Sequence, residues 1–357
     1  MTTGTAGPAL QRTEQSKLHG IAGGAAASRN WPEILLGAIL LLTAGALPAP
    51  AQTPPIDELL SGIVRIKTFI APEGRTVENL GHERTGSGIF IDDSGLILTI
   101  GYLMVEAQSV EVTTHDGKTA PATVLGYDND TGFGLLKASK PAGARSFVLG
   151  KSSQLAERDP VLAASFGGMD GVAPAVVAAR REFAGAWEYL IDDAIFTTPA
   201  HNDWSGAALI DRDGKLVGVG SLVVPDVTGR GENAPGNMYV PIDLLTPVLA
   251  DLIVAARGRG TLKPWLGLTT EEVRGRLFVV RVAPDSPAQK AGIARGDMIV
   301  GVEGAPAGTL ADFYRKIWAR GKAGATVPLD VLKETSVRRI DVKSMNRLDH
   351  LRLKSAL

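Results

Sequence analysis

The 357-residue sequence contains no cysteine. This absence excludes disulfides, thiolate zinc sites, iron–sulfur clusters and cysteine nucleophiles together. Neither sign of charge is in excess, because 37 Lys and Arg residues balance 38 Asp and Glu residues. A nucleic-acid partner is therefore not expected, since that function needs clustered positive charge. Histidine is scarce, and the five imidazoles that could transfer protons or bind metal are His19, His82, His115, His201 and His350.

An apolar run lies near the N-terminus at residues 34–47, fourteen residues without a charge. A membrane-spanning helix needs about 20 apolar residues, so this run is short for a span. Lys17 and Arg29 precede it, and Ala49-Pro50-Ala51 follows as a small-residue cleavage site. We therefore predict a signal peptide at 1–51, cleaved near Ala51, and a periplasmic or extracellular protein. The alternative is an uncleaved inner-membrane anchor.

Short β-like runs separated by turn signals fill residues 61–239. The segments Asp92–Gly95 and Asp211–Gly214 are typical of such turns. Short strands at this regular spacing predict an all-β barrel or sandwich, and there are enough of them for two barrels. An apolar stripe at helical spacing then predicts an amphipathic helix over 241–256. We place this first domain, with its linker helix, at 52–258.

A compact α+β unit is predicted at 262–345. Its strand-like segments include Leu277–Val282 and Met298–Val302, and a helix follows from Thr309. Thr309 and Asp312 have the spacing of a capping box, which favours a helix start at this point. The remaining residues, 346–357, are charged and are expected to form a loosely held tail.

Six segments carry a resemblance to a known family. Four of them, in the family's order, resemble the HtrA/Deg family of trypsin-like serine proteases, and the two nearest the C-terminus resemble that family's PDZ domain. The resemblance implies a mainly β fold, in which a trypsin-like double β-barrel is followed by a small α+β PDZ domain. The segments are Gly86–Thr99, Gly126–Lys137, Asp203–Val219, Asn237–Leu245, Pro264–Leu268 and Ala283–Gly304.

The resemblance places Ser205 in the position of the catalytic nucleophile. A serine hydroxyl needs an imidazole to take its proton and usually a carboxylate to orient that imidazole. Tyr102 stands at the histidine position, and a phenol, with a pKa near 10, is a poor base at neutral pH. Gly132 stands at the aspartate position, while Asp130 lies two residues earlier and is expected to point elsewhere.

The oxyanion hole implied by the resemblance would use the amides of Asp203 and Ser205. The family has a glycine where Asp203 stands, and a carboxylate there adds negative charge beside the developing oxyanion. His201, four residues before Ser205, is expected to be a solvated loop residue, as are His82 and His115. We therefore predict a pseudoprotease that is inactive or severely impaired. The alternative is an active serine endopeptidase that uses Ser205 with a non-standard base.

The resemblance also implies a peptide-binding loop at Trp265, Leu266, Gly267 and Leu268. PDZ domains bind an extended peptide by strand addition, and the helix from Thr309 would form the other wall of the groove. The expected partners are C-terminal or extended peptides of envelope proteins, with an apolar end preferred. A homotrimer or a hetero-assembly with active relatives is implied as well, in a scaffolding or regulatory role in envelope protein quality control. No cofactor and no metal are expected.

Overall fold

The structure is a computed structural model that describes residues 54–255 and 262–353. The predicted signal peptide at 1–51 and the linker residues 257–260 lie outside the described residues. Strands dominate the part that is described, as the sequence predicted. No helix in these two ranges is both long and apolar enough to cross a membrane.

The first barrel is closed by six antiparallel strands in the order β1-β2-β3-β6-β5-β4. A short helix, α1 (Ile56–Ser61), precedes it, α2 (Val77–Leu80) follows β1, and a 3₁₀ turn at Gly101–Leu103 follows β3. Every residue of β3 is buried, which explains why all of them except Thr99 are apolar. The strands are β1 Ile63–Ile70, β2 Glu83–Phe90, β3 Leu96–Ile100, β4 Ala107–Thr113, β5 Thr119–Tyr127 and β6 Phe133–Lys137.

The second barrel closes in the order β10-β11-β12-β9-β8-β7. Its longest strands, β8 and β9, pair down to Gly185 and Tyr189, whereas β12 pairs with β9 only at residues 195–197. The far part of this hairpin therefore projects from the barrel as a two-stranded ribbon. The strands are β7 Pro160–Ala164, β8 Val172–Gly185, β9 Tyr189–Thr198, β10 Ala208–Ile210, β11 Leu216–Val224 and β12 Gly236–Pro241.

One buried apolar cluster joins the two barrels and supports the loops between them. Leu98 and Phe133 contribute from the first barrel, and Ala208 and Val219 from the second. The predicted linker helix packs on this cluster through Leu252. It begins later than expected, as α3 (Thr246–Ala255), because β12 runs to residue 241 and a 3₁₀ turn at 242–244 follows.

The C-terminal domain is an antiparallel sheet in the order β13-β14-β15-β17-β18, with β16 paired to β15. β13 is thus an edge strand of this sheet. The helix predicted from Thr309 is present as α5, and Thr309 Oγ1 accepts a hydrogen bond from the Asp312 amide at 3.2 Å. The elements are β13 Leu268–Val273, β14 Arg276–Val282, α4 Pro287–Lys290, β15 Met298–Val302, β16 Ala305–Pro306, α5 Leu310–Trp318, β17 Thr326–Lys333 and β18 Ser336–Lys343.

The expectation of a loose tail at 346–357 was wrong for the described part of that segment. Residues Arg347–His350 form a last short helix, α6, capped by the Asn346 side chain, which accepts from the Leu348 amide at 3.1 Å. Leu348 and His350 are buried, and the His350 ring packs on Trp265 with centroids 4.6 Å apart. The cap stabilises the helix, and the buried side chains of Leu348 and His350 pack it against the rest of the protein.

Candidate functional site

Tyr102 and Ser205 meet where the two barrels join. The 3₁₀ turn after β3 carries Tyr102, and the loop between β9 and β10 carries Ser205. Tyr102 Oη lies 2.8 Å from Ser205 Oγ and 2.9 Å from the carbonyl oxygen of Ser221. The residue at the histidine position therefore contacts the residue at the nucleophile position directly.

The hydrogen bonds of Tyr102 determine where its proton goes. Desolvation raises the pKa of Tyr102 to about 12, against the effect of hydrogen bonds with Ser205 and Trp204, so the phenol is neutral at pH 7. A neutral phenol has one proton, and a backbone carbonyl can only accept. Tyr102 Oη is the donor in both contacts, so its single proton is shared between Ser205 Oγ and the Ser221 carbonyl. The oxygen of a neutral phenol is too weak a base to activate that serine.

The loop of Ser205 packs tightly against β2. The Ser87 amide donates to the Ser205 carbonyl at 2.8 Å. A Cβ at Gly86 would lie 3.0 Å from Ser205 Oγ, and one at Gly206, where φ is +73°, would lie 2.0 Å from the Ser87 carbonyl oxygen. These two glycines are therefore needed for the close approach of the barrels, whether or not the serine reacts.

The aspartate position holds Gly132, and a neighbouring tyrosine occupies the space beside it. A Cβ at Gly132, where φ is +84°, would lie 3.1 Å from Tyr189 Oη. Tyr189 is buried and donates from that hydroxyl to the Thr131 carbonyl at 2.7 Å. The structure places the Asp130 carboxylate 3.2 Å from Lys263 Nζ, in an ion pair with the start of the C-terminal domain.

His201 was expected to be solvated, and this expectation was wrong, since its exposed fraction is 8%. The buried side chain of Asn237 forms two hydrogen bonds with the backbone of His201. Asn237 Oδ1 accepts from the His201 amide at 2.6 Å, and Asn237 Nδ2 donates to the His201 carbonyl at 3.0 Å. The ring Nε2 lies 3.2 Å from Ser165 Oγ. Burial lowers the pKa of His201, and the nearby charge of Asp203 acts in the opposite direction.

The remaining predicted positions have simpler surroundings. His82 and His115 are exposed, as expected, and His19 lies outside the described residues. Asp203, at the oxyanion-hole position, is exposed on its loop. Within 54–255 and 262–353, no group of three or more His, Asp or Glu side chains could hold a metal ion.

The predicted peptide-binding loop surrounds a carboxylate from the same chain. The amides of Leu266, Gly267 and Leu268 donate to Glu188 at distances of 2.8 to 3.3 Å. Gly267 has φ +84°, and a Cβ there would lie 2.3 Å from Ser286 Cβ, so glycine is required. Burial raises the pKa of Glu188 to about 7, while the three amides act to lower it. Neither Glu188 nor Tyr189 was predicted as a site residue.

Two domain families match the chain. The trypsin-like peptidase domain matches residues 86–219, which include Tyr102 and Ser205. The PDZ domain matches residues 264–344, which include the amide loop around Gly267 and helix α5.

Comparisons with whole proteins agree with these two domain assignments. HhoA of Synechocystis sp., a protein with a serine-protease name, is 30% identical over 266 residues, or 70% of this chain and 67% of HhoA. The periplasmic pH-dependent serine endoprotease DegQ of Escherichia coli is 23% identical over 327 residues, or 83% of this chain and 70% of DegQ. Several other relatives are longer, and the chain spans between 52% and 60% of their length.

A solved structure shows the same fold. A variant of the HtrA-type protease AlgW, solved with a tripeptide, aligns with a TM-score of 0.50 at 18% identity. The alignment covers 82% of this chain and 98% of that chain. At this identity the likeness concerns the arrangement of barrels and PDZ domain, and the chemistry has to be argued from the residues of this chain.

Proposed function

The chain belongs to the HtrA family of trypsin-like serine proteases with a C-terminal PDZ domain, and we propose that it is a pseudoprotease that binds peptides. The observation that carries the first part is the hydrogen bond between Ser205 and Tyr102. A catalytic serine must give its proton to a base, and here its partner is a neutral phenol that itself donates to Ser205 Oγ and to the Ser221 carbonyl.

The expected loss of turnover is large enough to favour an inactive protein over a slow enzyme. Removal of the histidine from a serine-protease triad costs about 10⁶ in turnover. What then remains depends on the oxyanion hole and on substrate binding. Asp203 at the hole adds negative charge where a developing oxyanion needs positive potential, so little of this remainder is expected.

The second part of the proposal is peptide binding by the PDZ domain. Its support is the amide loop Leu266–Leu268, which already accommodates a carboxylate, next to edge strand β13 and helix α5. The ligands would be C-terminal or extended peptides of envelope proteins in the periplasm, where relatives such as DegQ are named to act. A scaffold or regulator of protein quality control, as a homotrimer or together with active relatives, fits these features.

The runner-up is an active endopeptidase in which a base other than Tyr102 serves Ser205. The deciding experiment incubates the purified mature protein with a fluorescent fluorophosphonate and, separately, with casein. The Ser205→Ala variant is the matched control. We expect no labelling or cleavage beyond that of the control. Labelling that depends on Ser205 would reject the pseudoprotease and establish the endopeptidase.

A further inference from the structure

We propose that the peptide groove of the PDZ domain is closed in cis by the turn of the β8–β9 hairpin, with the Glu188 carboxylate in the place of a ligand's terminal carboxylate. The proposal rests on peptide binding as the function of this domain. The proposal adds a form of regulation, because an external peptide can bind in the groove only after the hairpin turn has moved out of it.

The first support is the saturation of the amide loop. Glu188 Oε1 accepts from the Gly267 amide at 2.8 Å and from the Leu268 amide at 2.9 Å, and Oε2 accepts from Leu266 at 2.9 Å. The Glu188 side chain is 5% exposed. A peptide carboxylate would need the same amide donors, which Glu188 already occupies.

The second support is that the hairpin turn also imitates the strand of a bound peptide. The Thr270 amide on edge strand β13 donates to the Ala186 carbonyl at 2.9 Å. On the other wall, Tyr314 Oη on α5 donates to the Gly185 carbonyl at 2.7 Å and accepts from the Glu188 amide at 3.3 Å. The turn thus lies between β13 and α5 and bonds to both, as a ligand in the groove would.

The third support comes from the residue type at the turn. Residues 186–188 form a three-residue hairpin loop, and Glu188 has φ +59°. The last position of such loops adopts the left-handed conformation and favours glycine. A glutamate is less favoured there than glycine because of its backbone, and the bonds of its side chain to the amide loop offset this cost.

Ion pairs fasten the same ribbon to the PDZ helix at the surface. Arg315 on α5 lies 2.5 Å from Glu182 on β8 and 2.5 Å from Asp192 on β9. These side chains are well exposed, and such pairs contribute little on their own. The buried carboxylate is therefore the contact on which closure depends, and Glu182 provides a matched control.

The test compares the full mature protein with its Glu188→Gly, Glu188→Gln and Glu182→Gln variants. Glycine suits the turn backbone and deletes the carboxylate, and glutamine keeps the shape but turns an NH₂ group toward amide donors. The probe is a pool of octapeptides with randomised last four residues and free carboxylates, and the same pool with amidated ends is the control. Bound peptides are quantified by mass spectrometry, and hydrogen exchange is followed at residues 266–270.

We expect Glu188→Gly to retain about tenfold more of the free-carboxylate pool than wild type, since closure lowers the apparent affinity by the fraction of open molecules. Glu188→Gln should lie between the two, Glu182→Gln should match wild type, and the amidated pool should not respond. Equal capture by wild type and Glu188→Gly, with unchanged exchange at 266–270, would overturn the closure. Faster exchange without capture by any variant would support closure and reject peptide binding.

Discussion

Tyr102 Oη lies 2.8 Å from Ser205 Oγ, so the residue that stands in for the catalytic base is hydrogen-bonded to the nucleophile position. The same phenol reaches the Ser221 carbonyl on the second barrel. The Tyr102 hydroxyl therefore forms a hydrogen-bonded bridge between the first barrel and two groups of the second, Ser205 Oγ and the Ser221 carbonyl. A serine protease of this fold has its proton-accepting histidine at this point. Two of the three positions predicted for a triad are thus in contact, and the third, Gly132, has no side chain that could join them.

This bridge predicts that Tyr102→Phe lowers stability without changing labelling by fluorophosphonate. Loss of the hydroxyl leaves the Ser221 carbonyl without its donor, which costs about 1–2 kcal/mol. Urea unfolding followed by fluorescence measures the change. Ser205→Ala is the control and should cost less, because the Ser221 bond is kept. A stability equal to wild type would show that the bridge contributes nothing to the fold.

Rebuilding the triad by Tyr102→His with Gly132→Asp is expected to fail. The new Cβ at residue 132 would lie 3.1 Å from Tyr189 Oη, and Asp203 still occupies the oxyanion position. Addition of Tyr189→Phe and Asp203→Gly should then allow labelling of Ser205. Fluorophosphonate labelling of both variants is the measurement. Activity already in the double variant would mean that neither Tyr189 nor Asp203 is an obstacle.

Alanine substitutions at two glycines of the PDZ domain can distinguish the cost of backbone strain from the cost of a steric clash, because both glycines have the same backbone conformation. Gly275 has φ +70°, and a Cβ added there would have no atom within 4 Å, whereas a Cβ at Gly267, with φ +84°, would lie 2.3 Å from Ser286 Cβ. We expect Gly275→Ala to cost about 1 kcal/mol through its backbone alone. Gly267→Ala should cost about 1–3 kcal/mol more through overpacking. Calorimetric unfolding compares them, and equal losses would contradict the clash.

His350 predicts a specific dependence of stability on pH. Burial, and then the charge of Arg75, lower its pKa to about 4, from 6.5 in the unfolded chain. The imidazole is thus neutral in the fold, and its contribution is complete above pH 6.5 and is lost as the pH falls towards 4. After allowance for screening the loss is about 1–2 kcal/mol.

The His350→Gln variant isolates this contribution from those of other groups. Glu188, whose pKa is raised, acts with the opposite sign over pH 4.5–7, so wild type alone would not resolve the two. The difference in unfolding free energy between wild type and His350→Gln should shrink from about pH 7 to about pH 4. A difference that stays constant over this range would rule out the titration of His350.

The sequence predicted the fold well because its signals are local. One of the β-like runs predicted within 61–239 is strand β1, Met298–Val302 is β15, and the Thr309 cap starts α5. The alignment of motifs also located Tyr102 and Ser205, which lie 103 residues apart and meet in the structure. Period and turn chemistry are enough to predict the elements, whereas the positions of Tyr102 and Ser205 were implied by the resemblance to the family.

What the sequence missed depends on contacts between distant segments. Glu188 reaches Leu266 across 78 residues, and in the sequence it is an ordinary charged residue in a hairpin turn. His201 is buried because Asn237, 36 residues later, bonds to its backbone. One signal was available, since a three-residue hairpin loop without glycine at its last position invites a search for what the side chain binds.

The edge strand β13 has a consequence for solubility. An open sheet edge presents unpaired backbone donors and acceptors and can template pairing between chains. The hairpin turn covers part of this edge through the Thr270–Ala186 bond, within the chain itself. Part of the sheet edge on which our proposal places peptide binding is therefore paired within the chain, which reduces the backbone available for edge-to-edge association between copies.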